Sequence, residues 1–415
     1  MNKKTSLLLL LLISVVLAPP LFAGEGLFSG MVRDYASLRF EAGDIAVHEQ
    51  TVDVKYEYFG DIGRLYIHPT LYSNPNEPLL FDLKEAYFDF YFSNIDLRVG
   101  KQTIIWGEAE GAFITDIVSP RDMRSFILAD FSEIRKAVPA VKMDLYLDSY
   151  TLEAIWVTHF IPSSLPDQDS IWAQQPNLSL PPTVTDVVIN NPTPVSSALE
   201  NSELFLSLGH FSNALNWKLN GGYTWTDEPL VAGITIAPPT ATIDQGYERY
   251  FFFGGSMNTS IGSTVVRFES ALAIDKPMNA FNPPQVSVEK HHQVQSLIGF
   301  DWNLFGAQYS IQYLLTYTHD HHDNLLVQMK PIQEFAHTLT FRVQDTYFDD
   351  KLTAKIFAYV ETVPLNALIR PSLSYSLSDG VLIEGGFELF VGDEDGMFGS
   401  YQKNTMAWAA IRWYF

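Results

Sequence analysis

Five of the ten histidines fall in two short stretches, His291-His292 and His319-Asp320-His321-His322-Asp323. Imidazole nitrogens beside carboxylates form a donor set for zinc, copper or nickel. His291, His292, His319, His321 and His322 are therefore candidate metal ligands, although their spacing matches no fixed zinc signature and solvated loop residues are the plain alternative. His159, His210 and His337 offer a general base in principle. The chain has no Gly-x-Ser-x-Gly nucleophile motif, and it has no cysteine, which removes disulfides, thiolate zinc sites and cysteine nucleophiles. A third concentration of reactive side chains comprises Arg98, Gln102, Glu108, Asp116, Arg121, Asp122, Arg124, Glu133 and Arg135. From residue 116 onward these charges alternate with Phe126, Ile127, Leu128 and Phe131, a mixture too apolar for a freely solvated loop. Ser119 with Pro120 behind it predicts a capped helix start, and Asp130 followed by Glu133 predicts a second short turn through Arg135.

The elements that position these residues read as strands. Val52, Val54, Tyr56 and Tyr58 alternate with Asp53, Lys55 and Glu57, and Ala86, Phe88 and Phe90 with Glu85, Tyr87 and Asp89. The same period of two recurs through Tyr309–Tyr313, Ala367–Tyr375 and Ile383–Leu389, and no long amphipathic helix is evident. About eighteen strands of roughly 9–13 residues result, the length of tilted membrane strands. Their connections take turns in length. Short Gly/Asn/Asp/Ser turns at 60–63, 93–94, 148–149, 212–213, 259–263, 304–306, 348–350 and 378–380 alternate with mostly longer stretches. The longer set includes 108–139, 162–201, 228–246, 277–289, 319–333 and 392–402, with 42–46 and 362–366 as short members. Short turns on one rim and long loops on the other are the pattern of a transmembrane barrel, which must close because lipid leaves no partner for a free sheet edge. Pro371, inside a predicted strand, is the weakest point of this assignment.

Composition agrees. Of 415 residues 47% are hydrophobic and 14% aromatic, only 18% are charged, and yet mean hydropathy is +0.02, as two faces of opposite character would average. The formal charge of −22 argues against nucleic acid as a partner. Lys3 and Lys4, an apolar run from Leu7 to Leu17 and Ala23-Gly24 read as a signal peptide over 1–23 cleaved near Ala23, leaving 24–415 as one barrel domain. Cleavage would take the charge to −22 − 2 = −24. The last segment, Ala407 to Phe415, alternates to a terminal Phe, as a signal for the barrel-insertion machinery would. Lipid and lipopolysaccharide of a bacterial outer membrane are the implied surroundings.

With the apolar face toward lipid, the lumen receives charges of both signs, among them Arg33, Lys55, Glu85, Asp89, Arg98, Glu269, Arg342, Arg370, Glu388 and Arg412. Because this list is nearly balanced, the acidic excess belongs mainly to loops. A barrel this wide is not filled by its own side chains, so the segment 108–139 is expected to fold inward and narrow the path, with the nine residues from Arg98 to Arg135 as pore or constriction residues.

The run Arg98-Val99-Gly100-Lys101-Gln102, Trp106-Gly107-Glu108 and Asp116-Ile117-Val118-Ser119-Pro120-Arg121-Asp122 resembles the signature of a proteobacterial family of porin-like outer-membrane barrels, catalogued mainly as a domain of unknown function. Arg135 to Pro139 and Glu153 to Trp156 continue the likeness, which covers about 98–161. The resemblance implies a channel for small solutes, with hydrophobic or aromatic compounds suspected. The Pro-rich insertion at 162–201 departs from it. A receptor or adhesin presented on 162–201 and 228–246 is the alternative, and an outer-membrane enzyme the least supported. No cofactor is implied.

Overall fold

The computed structural model describes residues 25–73, 79–126, 128, 133–173, 180–283, 285–327 and 330–415. The expected signal peptide and the Asp130 cap lie outside the described residues. Among the described residues the regular structure is almost wholly strand: β1 Glu25–Arg39, β2 Ile45–Gly60, β3 Gly63–Ser73, β4 Leu80–Tyr91, β5 Ile95–Gln102, β6 Val138–Leu147, β7 Tyr150–Val157 and β8 Asp186–Ile189. There follow β9 Glu203–His210, β10 Asn216–Trp225, β11 Leu230–Ala237, β12 Thr240–Gly246, β13 Arg249–Ile261, β14 Thr264–Asn282, β15 Gln285–Leu304 and β16 Ala307–Thr318. The series ends with β17 Leu325–Val327, β18 Lys330–Pro331, β19 Phe335–Tyr347, β20 Leu352–Thr362, β21 Leu365–Ser378, β22 Val381–Gly392 and β23 Met406–Tyr414.

Eighteen of these form one closed antiparallel barrel, in which each strand pairs with its neighbour in the chain and β1 pairs with β23 from Met31↔Tyr414 to Arg39↔Met406. The remaining five decorate the long connections. Strand β8 pairs in parallel with β12, which pairs with β11, and the short pair β17–β18 leans on β14. Part of 162–201 is thus drawn into a small sheet with 228–246. The expected loop at 277–289 is instead the far end of a hairpin, because β14 and β15 stay paired to Asn282↔Gln285. Pro371 is tolerated because the β21–β22 ladder passes from Ile369↔Leu389 to Ser372↔Gly386, leaving its missing N–H without a partner to lose.

The alternation has the expected physical meaning. In β9, Leu204 and Leu206 are each 60% exposed while Phe205 and Ser207 are 1% and 3% exposed. An apolar band open on the outer face is tolerable only in lipid. Closure at the β1–β23 seam depends on Gly30. Its backbone exchanges hydrogen bonds with Phe415 at 2.9 and 3.0 Å, and a Cβ there would lie 2.3 Å from the Asp53 carbonyl oxygen and 2.6 Å from the Phe415 ring.

Candidate functional site

After Gln102 the chain leaves the wall. Gln102 itself is fully buried and its amide donates to the Ala140 carbonyl at 3.0 Å, so it anchors the departure point. Ile104, Trp106 and Val118 pack on the inner face of β6, β7 and β9 through Val138, Ala140, Ile155, Val157 and Phe205. Trp106 Nε1 donates to Glu153. This apolar root explains why a connection so rich in charge does not stay in solvent: several kcal/mol of burial hold its base at ~25 cal/mol per Å².

The connection then crosses the interior. The carboxylate of Glu269, on β14, accepts the backbone N–H groups of Glu108 at 2.5 Å and Ala109 at 2.7 Å and the Thr115 hydroxyl at 3.1 Å. Gln312 on β16 both accepts from the Glu110 N–H and donates to its carbonyl. Arg342 on β19 pairs with Glu110 at 2.9 Å, and the Tyr359 hydroxyl on β20 donates to the Gly111 carbonyl. On the return path Arg370 donates to the Leu128 carbonyl at 2.7 Å, while Glu133 receives Arg33 at 3.2 Å and Arg412 at 3.8 Å. The segment is therefore tied to inward-facing residues on both sides of the barrel.

No helix forms at Ser119 or before Arg135 among the described residues, contrary to the capping pattern. The Ser119 hydroxyl is taken by the Ile104 N–H at 2.8 Å, and Arg121 and Asp122 are extended, bridging to Arg135 and Ser164. Long-range pairing outcompetes a helix of one or two turns, which has few internal bonds to offer.

Two cavities flank the inserted segment. The larger, about 600 Å³, is lined by Lys55, Lys84, Lys101, Lys136, Arg135 and Arg412 together with Asp53, Asp82, Glu85, Asp122, Glu133 and His68. Its lining also takes in Phe415 at the short-turn end and Ile161 beyond the loop end of β7. Many of these charges are already paired: Lys84 with Asp53 at 3.1 Å, Lys101 with Asp82 at 3.4 Å, and Arg135 with the buried Asp116 at 2.5 Å. Lys55 has no ion-pair or hydrogen-bond partner among the described residues and is exposed in the cavity. Burial disfavours ionised Asp122, but the Arg124 guanidinium outweighs it and holds the carboxyl below its ordinary value; burial pushes the Lys136 ammonium down. The smaller cavity, about 180 Å³, lies between Asp116, Arg121, Asp227, Glu228 and Lys276. Arg121 Nη2 meets Glu228 at 3.2 Å, and burial, opposed by Arg121, pushes the Asp227 carboxyl well above its ordinary range.

Of the nine residues expected at a constriction, Asp122, Glu133 and Arg135 thus line the larger cavity, and Asp116 and Arg121 the smaller. The other four lie elsewhere. Arg98 is paired to Asp89 at 2.6 Å over the Tyr87 ring, Gln102 is in the wall, Glu108 accepts the Asn258 amide, and Arg124 turns to Tyr72. Asp82 and Lys84 were not singled out from sequence, because a bulge between His68 and Pro69 in the β3–β4 ladder shifts the alternation by one residue. Lys101 stands outside the inward register read for β5, and Lys136 lies in the connection before β6, where no strand register applies.

The histidines divide. His291 and His322 converge with Glu289, whereas His292 and His319 stack on each other with rings 6.2 Å apart, and His321 Nε2 donates to the Ile332 carbonyl at 2.8 Å. His210 rests against Tyr150 and Trp217, and His337 lies 2.7 Å from the Tyr313 hydroxyl, both in the outward register; His159 lies beside Thr158.

Over residues 76–349 the chain matches the model of a family described as a protein of unknown function, DUF1302. No curated protein matches it in sequence. Among solved structures, OccK2 (OpdF) of Pseudomonas aeruginosa, in complex with glucuronate, is 10% identical with a TM-score of 0.55, the match covering 94% of this chain and 98% of that one. OccAB3 of Acinetobacter baumannii is 9% identical with a TM-score of 0.55, covering 94% and 99%. OccK8 (OprE) of P. aeruginosa is 10% identical with a TM-score of 0.53, covering 95% and 99%. What is shared is a porin-like outer-membrane barrel fold.

Proposed function

The chain belongs to the DUF1302 family, and from that premise we propose that it is an outer-membrane channel passing small polar solutes along the charged cavity beside its inserted segment. The observation that carries this reading is the cavity itself. It lies between wall and inserted segment, and its lining includes residues from both rims, with cationic and anionic side chains throughout. Mixed charge at a narrow point orders and selects solutes by their own charge pattern. Lys55, without a partner among the described residues, favours solutes bearing a carboxylate. Tyr66, Tyr414 and Phe415 in the same lining accommodate an aromatic ring, so the aromatic compounds implied by the family resemblance fit only where they also carry a polar group. Asp122, Glu133 and Arg135 act as constriction residues on the segment's side. Of the three histidines read as candidate bases, His210 and His337 stand in the outward register and His159 lies beside Thr158 after β7; His68, which does line the cavity, is held by Asp53, so the reading as a channel rests on the cavity and not on the histidines.

We further propose export to the outer membrane with insertion directed by the segment ending at Phe415, and contact of the acidic loops with lipopolysaccharide through bridging divalent cations. Planar-bilayer recording of refolded protein tests the channel. Discrete conductance is expected, reduced by millimolar glucuronate as an anionic probe. Deletion of 112–135 is expected to raise conductance several-fold. An inserted barrel without conductance would move weight to a receptor built on the loops, and unchanged conductance after the deletion would remove the constriction.

A further inference from the structure

We propose that Glu289, His291 and His322 form a binding site for one divalent transition-metal ion, zinc or copper, at the loop end of the barrel. Glu289 and His291 are two residues apart on β15, so both side chains project from the same face of the strand. His322 comes from the connection after β16. Its Nε2 lies 3.0 Å from Glu289 Oε2, and His291 Nε2 lies 3.5 Å from the same oxygen. All three donor atoms fall within 4.8 Å of one another. Donors around a tetrahedral ion with bonds of about 2.0–2.1 Å sit roughly 3.3 Å apart, so a short swing of the half-exposed His322 completes the set.

The state of His291 points to a ligand independently of that clustering. The residue is only 7% exposed. Its Nδ1 lies 3.1 Å from the His319 carbonyl oxygen. A carbonyl can only accept, so Nδ1 donates to it, and in the neutral ring the lone pair is then on Nε2. This is how a ligating imidazole is oriented and its tautomer fixed. Nε2 is buried and makes no hydrogen bond among the described residues, yet it is aimed at Glu289 and His322. A solvated rim histidine would show the opposite: both nitrogens open to water. The nearby cations are engaged elsewhere, Lys276 with Gln293 at 2.8 Å and Lys290 with Glu248 at 3.8 Å. Three protein ligands leave a fourth position for water. Bound there, the ion would staple the connection at 319–334 to the extended β14–β15 hairpin.

Isothermal titration of chelator-treated, refolded protein with zinc chloride decides the matter, with heat-modifiable gel migration to confirm that each variant is folded. One ion per chain at micromolar or tighter affinity is expected. His322→Ala, on a connection outside the barrel wall, and His291→Gln should each weaken binding at least tenfold. His292→Ala with His319→Ala should leave it unchanged. Absence of binding at micromolar zinc overturns the proposal, as does binding that survives both ligand variants or is lost with His292 and His319. None of these outcomes depends on whether the barrel conducts.

Discussion

Glu269 is a wall residue whose carboxylate takes three donors from the inserted segment, two of them backbone N–H groups with no other partner among the described residues. A buried donor deprived of its acceptor costs ~1–3 kcal/mol, so Glu269→Ala is expected to cost the segment's docking about 3 kcal/mol or more while leaving the β14 ladder intact. Limited proteolysis between 108 and 135 should accelerate and channel current should become larger and noisier; identical cleavage and current would refute the anchoring role. At this scale the sequence revealed the kind of residue and not its employment. Arg98 and Glu108 have the composition of pore residues but are held in wall contacts by Asp89 and Asn258. Glu289, by contrast, drew no notice, because one acid among forty-eight acidic side chains gains meaning only from the two imidazoles beside it.

Among the elements, the β1–β23 seam is the step that turns a sheet into a barrel, and at Gly30 a Cβ would meet both the Asp53 carbonyl oxygen of β2 and the Phe415 ring. Gly30→Leu would force these groups apart, at a cost of about 1–3 kcal/mol for overpacking with further loss from unpaired edge groups in lipid. A sharp fall in the heat-modifiable, folded fraction after refolding is expected; full recovery of the fast-migrating band would show that the seam tolerates a side chain. The strands themselves were legible because alternation is local: Leu204, Leu206 and Leu208 announce an outward face without reference to anything else in the chain. The helix expected at Ser119 was not realised, since its hydroxyl was claimed by Ile104, fifteen residues earlier. Local capping patterns yield when a distant donor or acceptor is satisfied first by tertiary packing.

For the molecule as a whole, the net charge of −22 does not describe the passage. The larger cavity is lined by six lysines and arginines and five acids, so its own balance is near neutral. Reversal potentials in a tenfold potassium chloride gradient should accordingly be small, within about 10–15 mV of zero rather than the ~59 mV of an ideally selective pore for a monovalent ion. Lys55→Glu should move them toward cation selectivity, because Lys55 is the cation of that lining without a partner among the described residues. A strongly cation-selective wild type would show that the acidic loops, not the cavity, govern permeation.

The amino-acid sequence by itself determined that this chain is a closed barrel with short turns on one rim and long connections on the other. Period-two alternation and turn chemistry are local, and the need to pair every backbone group in lipid leaves closure as the one solution. It also marked the connection after β5 as too apolar to remain outside. Only the tertiary structure decided which side chains meet. The bulge opposite His68 reversed the inward register for Asp82 and Lys84. Closure brought Glu269, Gln312, Arg342 and Arg370 to the inserted segment from positions over a hundred residues away. It also separated His291 and His322 from the histidines next to them in the chain. Such meetings depend on barrel width, strand stagger and the path of one connection across the lumen, which no local pattern of residues encodes.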